Sequence, residues 1–148
     1  MEIRSYEPND LASVAKLFND YREFYDQRPD HALAIRFIEE RVKAGDSVIL
    51  VADSGGGNLA GFCQLYPSFC SVAAAPIYVL YDLFVAPEER RSGVARRLLQ
   101  AAAARAKTDG KVRMDLTTAK TNMTAQALYE SLGWTRDEIF FTYNLNIV

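Results

Sequence analysis

Asp82-Leu83-Phe84-Val85-Ala86-Pro87-Glu88-Glu89-Arg90-Arg91-Ser92-Gly93-Val94-Ala95-Arg96-Arg97 reads as the end of an apolar strand, a basic turn of small residues and the opening of a helix. The first amide N–H groups of a helix have no intrahelical partner and lie at the positive end of the macrodipole, which makes that end a seat for an anion. Gly93 and Ala95 keep side-chain bulk away from such a seat, while Arg90, Arg91, Arg96 and Arg97 bring charge to it. The chemistry suits a pyrophosphate on a small molecule. Neither G-x-x-x-x-G-K-[ST] nor a strand followed by G-x-G-x-x-G is present, which sets triphosphatases and dinucleotide dehydrogenases aside. Taken alone, the same arginines are also what a solvated basic helix start shows.

Outward from this stretch the chain alternates between helical and strand periodicities. Glu2 to Tyr6 alternates like a short strand, and Pro8-Asn9-Asp10 supplies turn and cap chemistry before Leu11, Val14, Leu17, Phe18, Tyr21 and Tyr25 recur at helical spacing. After Gln27-Arg28-Pro29, a second helix is predicted from Asp30 to Ala44, with Leu33, Phe37, Ile38 and Val42 as its stripe and Gly45 as its stop. Ser47 to Ala52 and Leu59 to Tyr66 read as a hairpin around Gly55-Gly56-Gly57-Asn58. Pro67 to Pro76 is expected to be a loop leading to the long strand Ile77 to Val85. Downstream, Gly93 to Thr108 is an alanine-rich amphipathic helix closed by Gly110, followed by a strand from Val112 to Thr118, a helix from Asn122 to Leu132 and a last strand from Ile139 to Leu145. This order predicts one α/β (α+β) domain spanning residues 1–148, built on a mixed sheet.

Bulk properties narrow the class. The 148 residues are 49% hydrophobic, enough for one self-sufficient core. Seventeen basic and 19 acidic residues give a net charge of −2, so no overall positive field holds nucleic acid or an anionic membrane. Apolar runs such as Ile77 to Val85 are far shorter than the ~20 residues of a membrane helix, and the N-terminus lacks the basic-then-apolar pattern of a secretory signal. A cytoplasmic protein is expected. Cys63 and Cys70 have neither metal-ligand nor disulfide-scaffold spacing, so free thiols and no bound metal are expected. A covalent route through either cysteine with His31 as its base is disfavoured, since a nucleophilic thiol needs an activating, oriented partner.

The turn resembles the pyrophosphate motif of the GNAT N-acetyltransferases, Arg/Gln-x-x-Gly-x-Gly/Ala after a strand ending Val-x-Pro, with Arg90, Gly93 and Ala95 at the matching positions. A second block matches in order and distance: Leu116-Thr117-Thr118-Ala119, then Asn122, Ala125, Ala127, Leu128, Tyr129 and Leu132-Gly133-Trp134. The text Tyr-Arg-Glu-Phe-Tyr and Leu-Tyr-Glu-Ser-Leu-Gly-Trp is similar to the polyamine, histone and D-amino-acid acetyltransferase branch.

The resemblance implies a GNAT-type fold with about four helices and a sheet of about six to seven strands, splayed where the two central parallel strands part. It implies acetyl-CoA as co-substrate, an amine as acceptor and often a homodimer. Coenzyme contacts would come from Leu83, Phe84 and Val85 through the main chain, from Arg90, Arg91, Ser92, Gly93, Val94, Ala95 and Arg96 around the pyrophosphate, and from Asn122, Ala125 and Tyr129. Tyr129 matches the family's general-acid tyrosine, although an aromatic on an amphipathic helix is also ordinary core. Polyamine acetyltransferases carry Glu-Asp where this chain has Tyr81-Asp82, which leaves Asp82 as candidate base, with Asp115 behind it and a structural carboxylate as the plain alternative. Tyr21, Glu23, Tyr25, Asp26 and Tyr81 are candidates for the acceptor site, where aromatic faces and carboxylates suit a cationic amine. As readily, Tyr21 and Tyr25 belong to the core stripe of their helix. A small amine, a protein lysine or N-terminus, and a non-catalytic acyl-CoA-binding module are the three functional readings.

Overall fold

The computed structural model describes all residues, 1–148. The elements are β1 (Glu2–Ser5), α1 (Leu11–Phe24), α2 (His31–Ala44), β2 (Val48–Gly55), β3 (Asn58–Cys70), β4 (Ala75–Val85), α3 (Val94–Thr108), β5 (Met114–Asp115) and α4 (Met123–Ser131). They fall into two compact units, Met1–Thr117 and Thr118–Val148.

In the first unit the strands form one sheet in the order β1-β2-β3-β4-β5, antiparallel throughout except that β4 and β5 run parallel. Helices begin and end where side chains and glycines make it cheap. The Asp30 side chain accepts from the Leu33 N–H at 3.0 Å to start α2, and Gly45 ends it in the left-handed region at φ 63°. Val14, Leu17 and Phe18 of α1 and Ala34 and Ile38 of α2 pack with Ile49, Val51, Phe62 and Phe84 of the sheet. The alternate strand residues Leu50, Ala52 and Cys63 are buried as well, so both faces of the sheet are covered. Helix α3 packs its stripe of Val94, Leu98, Leu99, Ala102 and Ala106 on β2, β3 and β4. Arg4 ties β1 to the turn before α1 and to β2, donating to Asp10 at 2.8 Å and to Asp53 at 3.0 Å; its guanidinium holds the Asp10 carboxyl below the usual range.

Three expectations are corrected. Residues 67–76 are not a loop: β3 runs to Cys70 and β4 starts at Ala75, making one long hairpin closed at 71–74. Pro67 is tolerated because the β2 partnership of β3 ends at Leu65, so no neighbour on that side asks for its missing N–H. The strand expected at Val112–Thr118 shrinks to Met114–Asp115.

The strand expected at Ile139–Leu145 does not form, which leaves five strands in place of six to seven. Its backbone makes no ladder: the Ile139 N–H bonds to the Asp137 carboxylate at 2.8 Å, and Phe141 and Tyr143 are each 89% exposed. In the second unit α4 is capped by Asn122, whose Oδ1 accepts from the Ala125 N–H at 3.1 Å. Gln126 reaches back to the carbonyls of Ala119 and Lys120, each at 3.1 Å.

Gly61 fixes how closely β3 and β4 approach. A Cβ there would sit 2.7 Å from the carbonyl oxygen of Phe84. Gly61→Ala is therefore expected to lower stability by about 1–3 kcal/mol as the strands shift apart, read as a lower urea midpoint.

Candidate active site

The ladder between β4 and β5 has two rungs, Tyr78 with Met114 and Val79 with Asp115. Beyond Val79 that edge of β4 has no strand beside it, while the other edge stays paired with β3 to Val85. The direction of each amide follows from three observations. The Tyr78 N–H faces β5, bonding to the Arg113 carbonyl at 3.1 Å, whereas the Ala86 N–H faces β3, bonding to the Ala60 carbonyl at 2.8 Å. Both positions are even-numbered, so a regular strand would turn them the same way. The register slip opposite Gln64/Leu65, which leaves Tyr81 without a partner, reverses the alternation. Leu83 and Val85 consequently turn their N–H groups to the free edge, and Phe84 turns its own to β3. Of the three main-chain positions expected from sequence, only Leu83 and Val85 have an amide available.

That free edge runs into the basic turn. Arg90 Nε donates to the Val85 carbonyl at 3.0 Å, and its guanidinium lies 5.3 Å above the centre of the Phe84 ring. Ser92 Oγ donates to the Glu89 carbonyl. Arg91 and Gly93 both take positive φ, 66° and 83°, and this left-handed pair swings the chain into α3. No side chain caps α3, and a Cβ on Gly93 would meet nothing within 4 Å. Val94 is buried, while Arg96 and Arg97 lie on the exposed side of the first turn. The seat anticipated from sequence thus has open N–H groups, room and positive charge, which fits a pyrophosphate.

On the α1 face of the sheet lies Asp82, 2% exposed. Gln64 Nε2 donates to its Oδ2 at 2.6 Å, and the Tyr21 hydroxyl lies close by. Burial pushes the Asp82 carboxyl up to about 6 against the Gln64 hydrogen bond. Tyr21 donates to the Tyr81 carbonyl at 3.0 Å, and burial followed by the nearby Asp82 charge raises its phenol well above the ordinary range. Tyr25 meets Tyr21 edge-on at 5.2 Å, Tyr66 lies 5.6 Å from Tyr81, and Tyr81 is 64% exposed. Tyr21, Tyr25, Tyr81 and Asp82 therefore come together as one aromatic and acidic group.

The other candidates have contacts of their own. Asp26 takes φ 63° at the end of α1 and bonds through its N–H to the Glu23 carbonyl, while the Glu23 carboxylate accepts from Asn19 at 3.0 Å. Asp115 is paired with Arg113 at 2.6 Å. Cys63 is fully buried and its thiol is pushed up to about 12 by burial, which makes it inert. In the second unit, Tyr129 on α4 lies 6.0 Å from the Trp134 ring, and Asn122 spends its Oδ1 on the helix cap. Gln64 was not anticipated, although a lone amide inside the apolar run Phe62-Cys63-Gln64-Leu65 is the signal that marks it.

The model of the acetyltransferase (GNAT) family matches residues 11–134. The chain belongs to that family. It is 44% identical over 147 residues to YhfO of Bacillus subtilis (strain 168), an uncharacterized N-acetyltransferase, across 99% of this chain and 98% of that one. It is 27% identical over 146 residues to the D-amino-acid N-acetyltransferase HPA3 of Saccharomyces cerevisiae, across 96% and 89%. A crystal structure of a probable acetyltransferase superposes with a TM-score of 0.93 at 40% identity, covering 100% of this chain and 99% of that one.

The burial of Asp82 has a consequence for stability. Its folded-state pKa of about 6 lies above the ordinary 3.8, so the folded chain binds the extra proton between those values and stability falls as pH rises through that window. Asp82→Asn removes the dependence. Relative to the wild type, the variant is expected to gain on the order of 2 kcal/mol between about pH 4 and about pH 8, measured by urea unfolding at both.

Proposed function

We propose that this GNAT enzyme transfers an acetyl group from acetyl-CoA to the primary amine of a small molecule, by direct transfer within a ternary complex. The observation that carries the reading is the free edge of β4 running into the uncapped start of α3. Bound there, the coenzyme supplies an acetyl group activated as a thioester. The N–H groups of Val94, Ala95 and Arg96, with Arg90, Arg91 and Ser92 around Gly93, hold the pyrophosphate. Leu83 and Val85 pair with the amide-bearing arm as a strand would, and one of these N–H groups polarises the thioester carbonyl. Asn122 and Ala125 complete the contacts to the arm.

An amine with a pKa near 10 arrives protonated, so its lone pair must be freed. Asp82, too buried to touch the acceptor, takes that proton through an intervening water; a carboxyl poised near neutrality does this well. The neutral nitrogen then bonds to the acetyl carbon as the carbon–sulfur bond breaks, and the Tyr129 hydroxyl gives its proton to the departing thiolate. Tyr21, Tyr25 and Tyr81 offer ring faces and Asp26 a carboxylate to a cationic acceptor. The yeast relative is by its name a D-amino-acid N-acetyltransferase, an acceptor class of the same kind.

A cytoplasmic setting suits the two free thiols. A homodimer belongs to the same proposal, supported by the alternating, exposed Phe141, Tyr143, Leu145 and Ile147, a strand pattern that lacks a ladder.

Incubation with acetyl-CoA and a panel of small primary amines, read as free-thiol release, tests the function. At least one amine is expected to give turnover, and Tyr129→Phe is expected to slow it roughly 10²-fold while leaving coenzyme affinity nearly intact. Unchanged turnover in the variant removes Tyr129 from the mechanism.

A further inference from the structure

Gln64 is fully buried in β3, directly across the ladder from Asp82 and beside the bulge at Tyr81. Its Nε2 makes the 2.6 Å bond to the Asp82 carboxylate, while its Oε1 is buried with no hydrogen-bond partner. The groups near Asp82 are Gln64 and Tyr66 from β3 and Tyr21 from α1, with Cys63 on the opposite face of the sheet and Tyr81, its neighbour in β4, largely in solvent. No lysine, arginine or histidine contributes to its ionisation. The one hydrogen bond that holds the carboxylate comes from the neutral Gln64 amide.

We infer that Gln64 is the positioning residue for proton uptake at Asp82, donating from Nε2 to the carboxylate and, after a half-turn of its amide, accepting through Oε1 from the carboxylic acid. The inference rests on the reading of Asp82 as the base. An amide is the side chain that carries a donor and an acceptor on one rotatable end. A glutamate would add a second negative charge, and an apolar residue would serve neither charge state. The idle Oε1 follows from the same requirement: whichever form Asp82 takes, one end of the amide is unused. Native interiors leave few such atoms, so a buried one calls for a reason of this kind. In the reaction the ammonium N–H bond of the acceptor breaks, the proton passes through water to an Asp82 oxygen, and the amide rotates to hold the O–H so formed. Release of that proton to solvent resets the pair.

The test compares pH profiles of kcat/KM for the wild type, Asp82→Asn, Gln64→Met and Gln64→Glu. Methionine keeps the volume and loses both hydrogen bonds, so the acid limb is expected to move up by about one pH unit, with rates converging at alkaline pH. Glutamate opposes two buried carboxylates that share one proton, and its limb is expected to move further, by about two units. If Asp82→Asn keeps the wild-type limb, Asp82 is not the base and the inference falls with it. If Asp82→Asn loses the limb and Gln64→Met keeps it unmoved, Asp82 remains the base and Gln64 is only packing. A measurement on the unmodified protein covers variants that fail to fold: the Gln64 side-chain amide nitrogen shift is expected to titrate with the midpoint of the Asp82 carboxyl carbon. An amide signal that stays constant across that midpoint overturns the inference.

Discussion

The parting of β4 from β5 after two rungs is the constraint on which the rest of the first unit depends. A strand edge inside a protein exposes N–H and C=O groups that demand partners, and most folds cover or pair them. Here β3 holds the other side of β4 closely, helped by the missing side chain of Gly61, so the strand stays extended without a second neighbour. The bulge at Tyr81 decides which groups the open edge shows. One unpaired residue reverses the alternation, turns the Leu83 and Val85 amides outward, and directs Asp82 to the α1 face while Tyr81 reaches solvent. Arg90 then hooks the basic turn to the last carbonyl of that edge. The coenzyme of the proposed reaction, with amides at one end and phosphates at the other, would meet both features in sequence.

The chain treats its buried carboxylates in two ways. Asp10 sits against Arg4, whose fork of donors keeps it ionised and locks β1 to the turn before α1. Asp82 is given Gln64 and Tyr21 instead, and burial without a cation brings its proton exchange close to neutral pH. A carboxylate paired with arginine stabilises the fold and takes part in no proton traffic near neutrality. One held by neutral dipoles is less favourable to the fold and available for that traffic. The aromatic side chains of Tyr21 and Tyr66 lie near Asp82 without neutralising it.

The features legible in the sequence are those set by local chemistry. Asp30, Gly45, Gly93 and Asn122 mark helix ends because capping and positive φ are decided within a few residues. The turn around Gly93 that swings the chain into α3 is legible for the same reason. What the sequence concealed depends on ladders, which join distant residues. Pro67 reads as a break but sits in β3 beyond the reach of β2. Leu116 to Thr118 has strand composition, yet β5 stops at Asp115. Ile139 to Leu145 alternates well and has no rung to join. Gln64 is visible as a polar residue in an apolar run, but its partner lies on the next strand across a bulge that no local pattern announces.

The central claim is that the open edge of β4 and the start of α3 together receive the coenzyme, and amide hydrogen exchange with and without saturating CoA examines it residue by residue. The account predicts slowed exchange at Leu83, Val85, Val94, Ala95 and Arg96, with Phe84, already turned to β3, unchanged. Protection that spares Leu83 and Val85, or that appears equally at Phe84, would contradict it.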